Sequence, residues 1–199
     1  MHVRTAGGQT VRAQRVIIAM GSADRTRIEH SPALPAAYAG WASAWPTTVA
    51  NKYHLIYPSA AWRTKDVTVP AMNAGVLTLW DDSPPSGVPG IVMVLSEQLL
   101  PEPLMEKALA ALASLQFRAN NHTEYHRKQW DVATSNVANC VGGQRAGVLT
   151  EHGAGWRNAL GRVHWAGSDT ADHWQGYISG AIDSGRRAAA EVSAALRMA

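Results

Sequence analysis

Residues 161–187 read GRVHWAGSDTADHWQGYISGAIDSGRR, and the fold prediction rests mainly on this segment. Its apolar run Val163–Ala166 predicts a short buried strand, residues 167–170 predict a turn, and a helix is predicted from near Gly176 to about Met198. A strand, a glycine turn and a helix start in succession leave free backbone N–H groups at the positive end of a helix dipole. The stretch therefore predicts a binding site for an anionic or electron-rich ligand.

Small residues recur at helical spacing in the predicted helix. They are Gly176, Gly180, Ala181, Gly185 and Ala188. Residues three or four positions apart share one face of a helix. Because glycine and alanine add little bulk, this face lets a flat ligand or another backbone approach closely.

The composition of the chain indicates a folded protein and argues against a nucleic-acid-binding one. A chain of 199 residues that is 46% hydrophobic can bury a core as one or two domains. The net charge of +3 comes from scattered Arg and Lys, with no basic patch interleaved with aromatic residues, so no nucleic acid partner is expected.

The sequence also indicates the cellular compartment in which the protein is expected. No run approaches the roughly 20 apolar residues of a membrane span. The N-terminus lacks the apolar segment of a signal peptide. The single cysteine, Cys140, excludes an internal disulfide and fits a reducing compartment. We therefore expect a cytoplasmic protein with no membrane attachment.

Outside the C-terminal stretch, strand and turn patterns alternate. After the turn at Gly7 and Gly8, residues 9–19 predict a hairpin whose second strand is buried. Further strands are predicted at residues 47–57, 75–80 and 90–95, and an amphipathic helix at residues 102–117. Strands mixed with two long helices predict an α/β (α+β mixed) protein with a mixed sheet.

The C-terminal stretch resembles the signature of the flavin-containing amine oxidases, in which an AGTE…HWSGY…GA…SG run closes over the flavin. Three further blocks resemble the same family in the same order. They are Val16–Ala19 after the opening turn, the interval from Lys52 to Trp62, and Gln129-Trp130 followed by residues 147–150. The resemblance implies the C-terminal half of an FAD-binding fold, with a mixed-sheet substrate region and a helix that covers the flavin.

The resemblance also implies three segments. Residues 1–46 would belong to the FAD-binding domain, as an adenine-side hairpin and a linker. Residues 47–150 would form the substrate-binding region. Residues 151–199 would form the C-terminal FAD-binding segment.

By the same resemblance, a set of residues would contact FAD. They are Ala19, Trp130, Gly167, Ser168, Asp169, Trp174, Gly176, Tyr177 and Ile178. Trp130 and Trp174 are expected mainly to pack, whereas Ile178 would offer its backbone N–H to the flavin pyrimidine oxygen. Asn139 occupies the position that carries a covalent flavin link in some members, so non-covalent FAD is expected.

Three residues match positions that act on the substrate in the family. Lys52 would hold a water against flavin N5, and Tyr177 would form one wall of an aromatic cage for the amine. Cys140 falls where the second cage aromatic stands in the family and would be a smaller, softer wall. The alternatives are an exposed lysine at a strand edge for Lys52 and a core tyrosine at a helix start for Tyr177.

The resemblance implies oxidative deamination. A hydride would pass from the α-carbon of an amine to flavin N5, the imine would hydrolyse, and O2 would be reduced to H2O2. Members of the family bind the ADP part of FAD with a strand, turn and helix that carry a G-x-G-x-x-G motif. No segment of these 199 residues matches that motif. A second polypeptide carrying that half is therefore expected, and the activity of the chain alone stays open.

Two alternatives differ from this interpretation. The chain could be a non-catalytic subunit that binds a partner, or an inactive truncated remnant of an amine oxidase. His122, Glu124 and His126 could cluster, but they do not form the H-E-x-x-H pattern, so no metal is expected.

Overall fold

The computed structural model describes residues 1–44, 50–65, 72–74, 77–96, 121–130, 146–153 and 156–198. The strands described are β1 (His2–Arg4), β2 (Thr10–Arg12), β3 (Val16–Ala19), β4 (Ala50–Tyr57), β5 (Met72–Ala74), β6 (Leu77–Asp81), β7 (Gly90–Ser96), β8 (Glu124–Trp130) and β9 (Val163–Ala166). The α-helices described are α1 (Ser22–Arg25), α2 (Ala36–Ala44), α3 (Val148–His152) and α4 (Ile178–Arg197). Short 3-10 helices lie at Ala61–Lys65 and Ser168–Thr170. The predicted α/β class is confirmed.

The chain divides into two compact units. The first is Met1–Thr47 with Asn136–Ala199, and the second is Thr48–Ser135. The roles given above to residues 1–46, 47–150 and 151–199 remain predictions.

Two small sheets lie in the first unit. β1 and β2 form an antiparallel hairpin, whereas β3 and β9 pair in parallel, with Val16 opposite Val163. Ile18 and Trp165 are the centre of a core that the two parallel strands share. A second cluster, built on Trp41 and Trp156, packs between the short helices.

The hairpin differs from the prediction. We predict that the apolar run at residues 16–19 is its second strand, but the second strand is β2, which is exposed throughout. The apolar run is β3, and its partner is β9 at the other end of the chain. The physical reason is burial, because Ile18 gains a core with Trp165 that the exposed hairpin does not offer.

The C-terminal helix matches its predicted position closely. α4 runs over Ile178–Arg197, and its inner face buries Gly180, Ser184 and Ala188. These residues recur every fourth position, which is the spacing of one helix face. No helix in the described part of the chain is long and apolar enough to cross a membrane.

The second unit is built on one sheet with the strand order β5-β6-β7-β4-β8. All the pairings described in it are antiparallel, so parallel and antiparallel pairing occur in separate sheets. Side chains of β4 alternate, with Tyr53 and Leu55 buried in a core that includes Val92 and Val94. The predicted helix at residues 102–117 lies outside the described residues.

Candidate functional site

The candidate site of the first unit lies at the carboxyl ends of β3 and β9. The last residues of these parallel strands, Ala19 and Ala166, are opposite each other. In α/β proteins, ligands bind at this edge of a parallel sheet. Gly167 follows with φ 118° and ψ 156°, a conformation open essentially to glycine alone. A Cβ at this position would also stand 3.0 Å from the carbonyl oxygen of Met20, so the turn crosses the end of β3 closely.

Hydrogen bonds join this turn to the start of α4. The Gly176 N–H donates to the carbonyl oxygen of Ser168 (3.2 Å), and Gln175 Nε2 donates to the carbonyl oxygen of Asp169 (2.7 Å). The Gly167 N–H donates to Ser184 Oγ in the second turn of the helix (3.0 Å). The turn and the helix start therefore form one connected unit beside the strand ends.

The N-terminus of α4 is not capped by a side chain. Tyr177 is the N-cap residue, and its side chain makes no capping hydrogen bond. Because the first N–H groups of a helix have no partner within the helix, they can bind a ligand with acceptor atoms. Ile178, whose N–H is the first of these, is 83% exposed.

Two aromatic side chains stand beside these N–H groups. Trp174 and Tyr177 are 67% and 60% exposed, and their rings meet edge to face with centroids 5.8 Å apart. Trp174 has φ 54°, a left-handed conformation that is uncommon for a residue with a large side chain. Gly180 permits it, because a Cβ there would overlap the Trp174 carbonyl oxygen. An exposed aromatic pair held by an unusual backbone conformation is typical of a binding surface.

The side chain of Asp169 faces inward. Its carboxylate accepts a hydrogen bond from the Ser22 hydroxyl, and Trp41 Nε1 donates to the same hydroxyl oxygen (2.9 Å). Arg25 Nη2 lies 3.7 Å from the other carboxylate oxygen. Burial lowers the pKa of Arg25, the nearby Asp169 raises it, and Arg187 lowers it, with a net lowering. The Asp169 carboxylate thus holds the turn against α1.

A second, partly buried set of polar groups holds β9 against α4. Arg187 Nη2 donates to the carbonyl oxygens of Trp165 (3.1 Å) and Thr170 (3.3 Å), and Arg187 Nη1 donates to Glu191 (2.8 Å). His164 Nδ1 lies 2.9 Å from the other Glu191 oxygen. Burial favours the neutral Glu191 carboxyl, but hydrogen bonds from His164 and Arg187 outweigh burial and lower its pKa.

Sequence reasoning missed Ser22, Arg25 and Arg187. The Arg187 to Glu191 spacing of four residues on a predicted helix was a readable sign of an ion pair. Ser22 gives no local sign, because its partner Asp169 lies 147 residues away.

The predicted site residues fall into three groups. Ala19, Gly167, Ser168, Asp169, Trp174, Gly176, Tyr177 and Ile178 come together in the first unit. Lys52 and Trp130 lie in the second unit, on β4 and β8. Cys140 and Asn139 lie outside the described residues.

Lys52 is half-buried in the antiparallel sheet. It lies opposite Leu95 of β7 and Lys128 of β8, on the face away from the core residue Tyr53. The backbone of Trp130 pairs with that of Ala50 at the end of β8. Among the residues described here, no group of His, Cys, Asp and Glu side chains is arranged to hold a metal ion.

The fold is that of an α/β protein, and the candidate site lies at the carboxyl ends of its two parallel strands. The family model described as "Flavin containing amine oxidoreductase" matches residues 1–193. The chain therefore belongs to the flavin-containing amine oxidoreductase family, and the predicted resemblance is confirmed.

Individual relatives agree with this membership. AofH of Mycobacterium tuberculosis strain H37Rv, which is named as a flavin-containing monoamine oxidase, is 34% identical over 189 residues, covering 91% of this chain and 42% of its own length. Amine oxidase [flavin-containing] B of Rattus norvegicus is 28% identical over 204 residues, covering 96% and 39%. The chain thus spans about two fifths of the length of these relatives.

Solved structures share the fold. Cyclohexylamine oxidase from Brevibacterium oxydans superposes with a TM-score of 0.86 at 24% identity, over 97% of this chain and 45% of that one. A triple mutant of putrescine oxidase superposes with a TM-score of 0.83 at 24% identity, over the same shares of the two chains.

Proposed function

We propose that this chain supplies the flavin-facing and substrate-facing residues of an FAD-dependent amine oxidase. A segment outside these 199 residues, carried by a second polypeptide, would supply the G-x-G-x-x-G half. The observation that carries the proposal is the exposed Trp174 and Tyr177 pair beside the uncapped start of α4. Family membership supports amine oxidation with a flavin at the level of the family.

The residues present fit a flat group with polar edges. Backbone groups of Ala19, Gly167, Ser168, Gly176 and Ile178 would hold it at the strand ends and at the helix start, where the helix dipole favours acceptor atoms. When bound, FAD supplies a hydride acceptor for the amine, and O2 takes up the electrons as H2O2.

Asp169 would act as a positioning residue for this backbone. Its buried carboxylate bonds Ser22 and faces Arg25, so its side chain fixes the turn that offers the backbone groups. Trp174 would border the flavin and Trp130 would pack. Asn139 at the linking position favours FAD without a covalent bond.

The substrate-facing part of the proposal rests on Tyr177. An exposed aromatic face excludes water from one side of a neutral amine and also tolerates a cationic amine as it enters. Cys140 would form a second, smaller wall. Lys52 would hold a water near the reacting atoms, as a cation that stabilises developing negative charge. The cytoplasm is the proposed compartment, on the basis of the single cysteine.

An absorption spectrum tests the proposal. The chain would be purified alone and with a co-expressed polypeptide that carries a G-x-G-x-x-G half, and absorbance would be recorded from 350 to 500 nm before and after denaturation. We expect flavin bands in the co-expressed sample and release of the flavin on denaturation, followed by H2O2 formation with an amine. A colourless sample in both preparations would contradict the proposal and favour a non-catalytic subunit or a remnant.

A further inference from the structure

The segment that precedes α4 carries two exposed aromatic residues, Trp174 and Tyr177, which form the aromatic pair. The Gly176 N–H connects the carboxyl end of this segment to the turn after β9. At the amino end, the Asp172 carboxylate forms an ion pair with Arg157, which lies in the connection that leads to β9. Two separate parts of the first unit therefore hold the backbone on either side of Trp174.

Arg157 is itself held by the core of the first unit. Its guanidinium carbon lies 4.8 Å from the centroid of the Trp156 ring, and its carbonyl oxygen accepts a hydrogen bond from Arg187 Nη1 (3.2 Å). Trp156 is buried against Trp41, with ring centroids 4.6 Å apart. A planar guanidinium placed over an aromatic ring keeps a fixed direction for its N–H groups. Arg157 therefore presents its charge to Asp172 from a fixed base.

The backbone continues this connection from Asp172 to the aromatic pair. The carbonyl groups of His173 and Trp174 lie so close to Gly180 of α4 that an added Cβ there would stand 2.9 Å from the first oxygen and overlap the second. The Tyr177 N–H donates to the Trp174 carbonyl oxygen (3.0 Å). Packed contacts in sequence pass a displacement from one residue to the next. A movement of Asp172 would therefore move the aromatic pair.

The ion pair is expected to contribute little to the stability of the fold. The side chains of Arg157 and Asp172 are 36% and 53% exposed. Exposed ion pairs gain little from their attraction, because water and salt screen the two charges. The main effect of this contact is therefore expected on the geometry of the segment that it holds, two residues before Trp174.

We propose that Arg157 is a positioning residue for the aromatic pair and acts through the Asp172 carboxylate. The inference rests on the proposed function, because it assigns the aromatic pair to the flavin and the amine. With the ion pair in place, the segment keeps the arrangement that binds the amine. Without it, that arrangement is less populated, and the apparent affinity for the amine falls by the same fraction.

A pair of variants and their combination test this inference in the full chain, in the flavin-loaded assembly with the co-expressed second polypeptide. Arg157→Gln and Asp172→Asn each remove one charge of the ion pair, and the double variant completes the cycle. Arg162→Gln is the matched control, because it makes the same change at an exposed arginine of the same connection.

We expect both single variants and the double variant to raise KM for an amine by about fivefold, because either change abolishes the same contact. The value of kcat should change by less than about twofold, since the bound arrangement is the same. In about 1 M salt, the wild-type KM should rise toward that of the variants, because exposed charges are screened. Arg162→Gln should match the wild type. A merely structural role of Arg157 would lower the melting temperature without this difference between KM and kcat.

Fluorine NMR provides a readout that does not depend on activity. The chain is labelled with fluorotryptophan, and the Trp174 signal is assigned from its loss in Trp174→Phe. The signal should be the same in the wild type and in Arg162→Gln. It should shift or broaden alike in Arg157→Gln and Asp172→Asn. If one of these two variants does not fold, the other decides, and unfolding of both would overturn the inference by making the contact structural.

Three further outcomes would overturn the inference. They are additive effects of the two substitutions on KM, an unchanged Trp174 signal, and an equal effect of Arg162→Gln. The proposed function fails in a different way. A colourless assembly in which both variants shift the Trp174 signal would contradict the function and leave the positioning of Trp174 by Arg157 standing. An active, flavin-containing assembly in which KM and the signal do not change would do the reverse.

Discussion

Tyr177 combines high exposure with a fixed position at the N-cap of α4. Its role in the fold is small, because its side chain makes no capping bond and meets Trp174 at one edge. Replacing Tyr177 should therefore change the free energy of unfolding little, so variants at this position test function separately from folding.

We predict that Tyr177→Ala lowers kcat/KM for an amine about tenfold in the flavin-loaded assembly, equivalent to about 1.4 kcal/mol, because the aromatic wall is lost. Tyr177→Phe keeps the ring and should stay within about twofold. Steady-state H2O2 assays would measure both variants, with thermal melts as a check on folding. Equal activity of the alanine and phenylalanine variants would argue against the aromatic wall.

Gly167 is required by the backbone at the strand ends. We predict that Gly167→Ala lowers the free energy of unfolding by about 3 kcal/mol, because a Cβ would meet the Met20 carbonyl oxygen and the backbone conformation is essentially restricted to glycine. Gly161 has φ 59° and no atom within 4 Å of an added Cβ, so Gly161→Ala should cost about 1 kcal/mol. Urea unfolding measures both values, and similar costs would show that the contact with Met20 contributes little.

Asp81 gives the second unit a defined pH response. Burial raises the pKa of this carboxyl, but hydrogen bonds from Arg63, Ser83 and Trp62 outweigh burial and lower it to about 2 from 3.8. A lowered pKa stabilises the folded state above pH 3.8, and this stabilisation is lost as the pH falls through 2.

We therefore predict that Asp81→Asn destabilises the chain at pH 6 and has much less effect at pH 2, where the wild-type carboxyl is about half protonated in the folded chain and almost fully protonated in the unfolded chain. Urea midpoints of both proteins from pH 2 to 6 would measure the difference. A difference that does not change with pH would show that Asp81 contributes as a neutral hydrogen-bond acceptor.

At the scale of elements, Arg187 connects β9, the following turn and α4. Its two terminal nitrogens reach Trp165, Thr170 and Glu191 together. A planar guanidinium can donate in several directions at once, whereas a lysine ammonium cannot reproduce this fork.

We predict that Arg187→Lys lowers the free energy of unfolding by about 2 kcal/mol, because buried carbonyl groups lose their donors. The neighbouring Arg186 is exposed, and its pair with Asp183 is a surface ion pair. Arg186→Lys should therefore change stability by less than about 0.5 kcal/mol. Denaturant titrations of both variants test the contrast, and equal effects would contradict the connecting role of Arg187.

At the scale of the whole molecule, each unit has its own core. Tyr53, Leu55, Val92 and Val94 lie in the core of the second unit, and Trp165 with Ile18 and Val163 forms that of the parallel strands. Because proteins open in cooperative units, a defect in one core is expected to act mainly on the elements that share it.

We predict that Val94→Ala, which removes two buried methyl groups, destabilises the second unit by about 2 kcal/mol. Amide exchange in β4 and β7 should quicken by about thirtyfold, with little change in β3 and β9. Val163→Ala is the control. It should quicken amide exchange in β3 and β9, with little change in β4 and β7. Equal quickening in both sheets would show that the two units open together.

Much of the site could be predicted because its residues are close in sequence. The strand Val163–Ala166, the turn after it and the helix from Ile178 follow local patterns of burial and glycine placement. Lys52 is correctly assigned to a strand for the same reason, whereas no strand is predicted at Trp130, which lies at the end of β8. Their predicted roles toward the flavin remain predictions.

Local periodicity and ordered motifs were sufficient to predict the α/β class, the family and the segment that carries the candidate site. Two features depend on long-range packing instead: the parallel pairing of β3 with β9, and the contacts of the Asp169 carboxylate with Ser22 and Arg25. Val16 and Val163 are far apart in the chain, and their pairing is chosen by the burial of Ile18 against Trp165. Local patterns report which residues prefer to be buried, but the partner that buries them is set by packing over the whole chain.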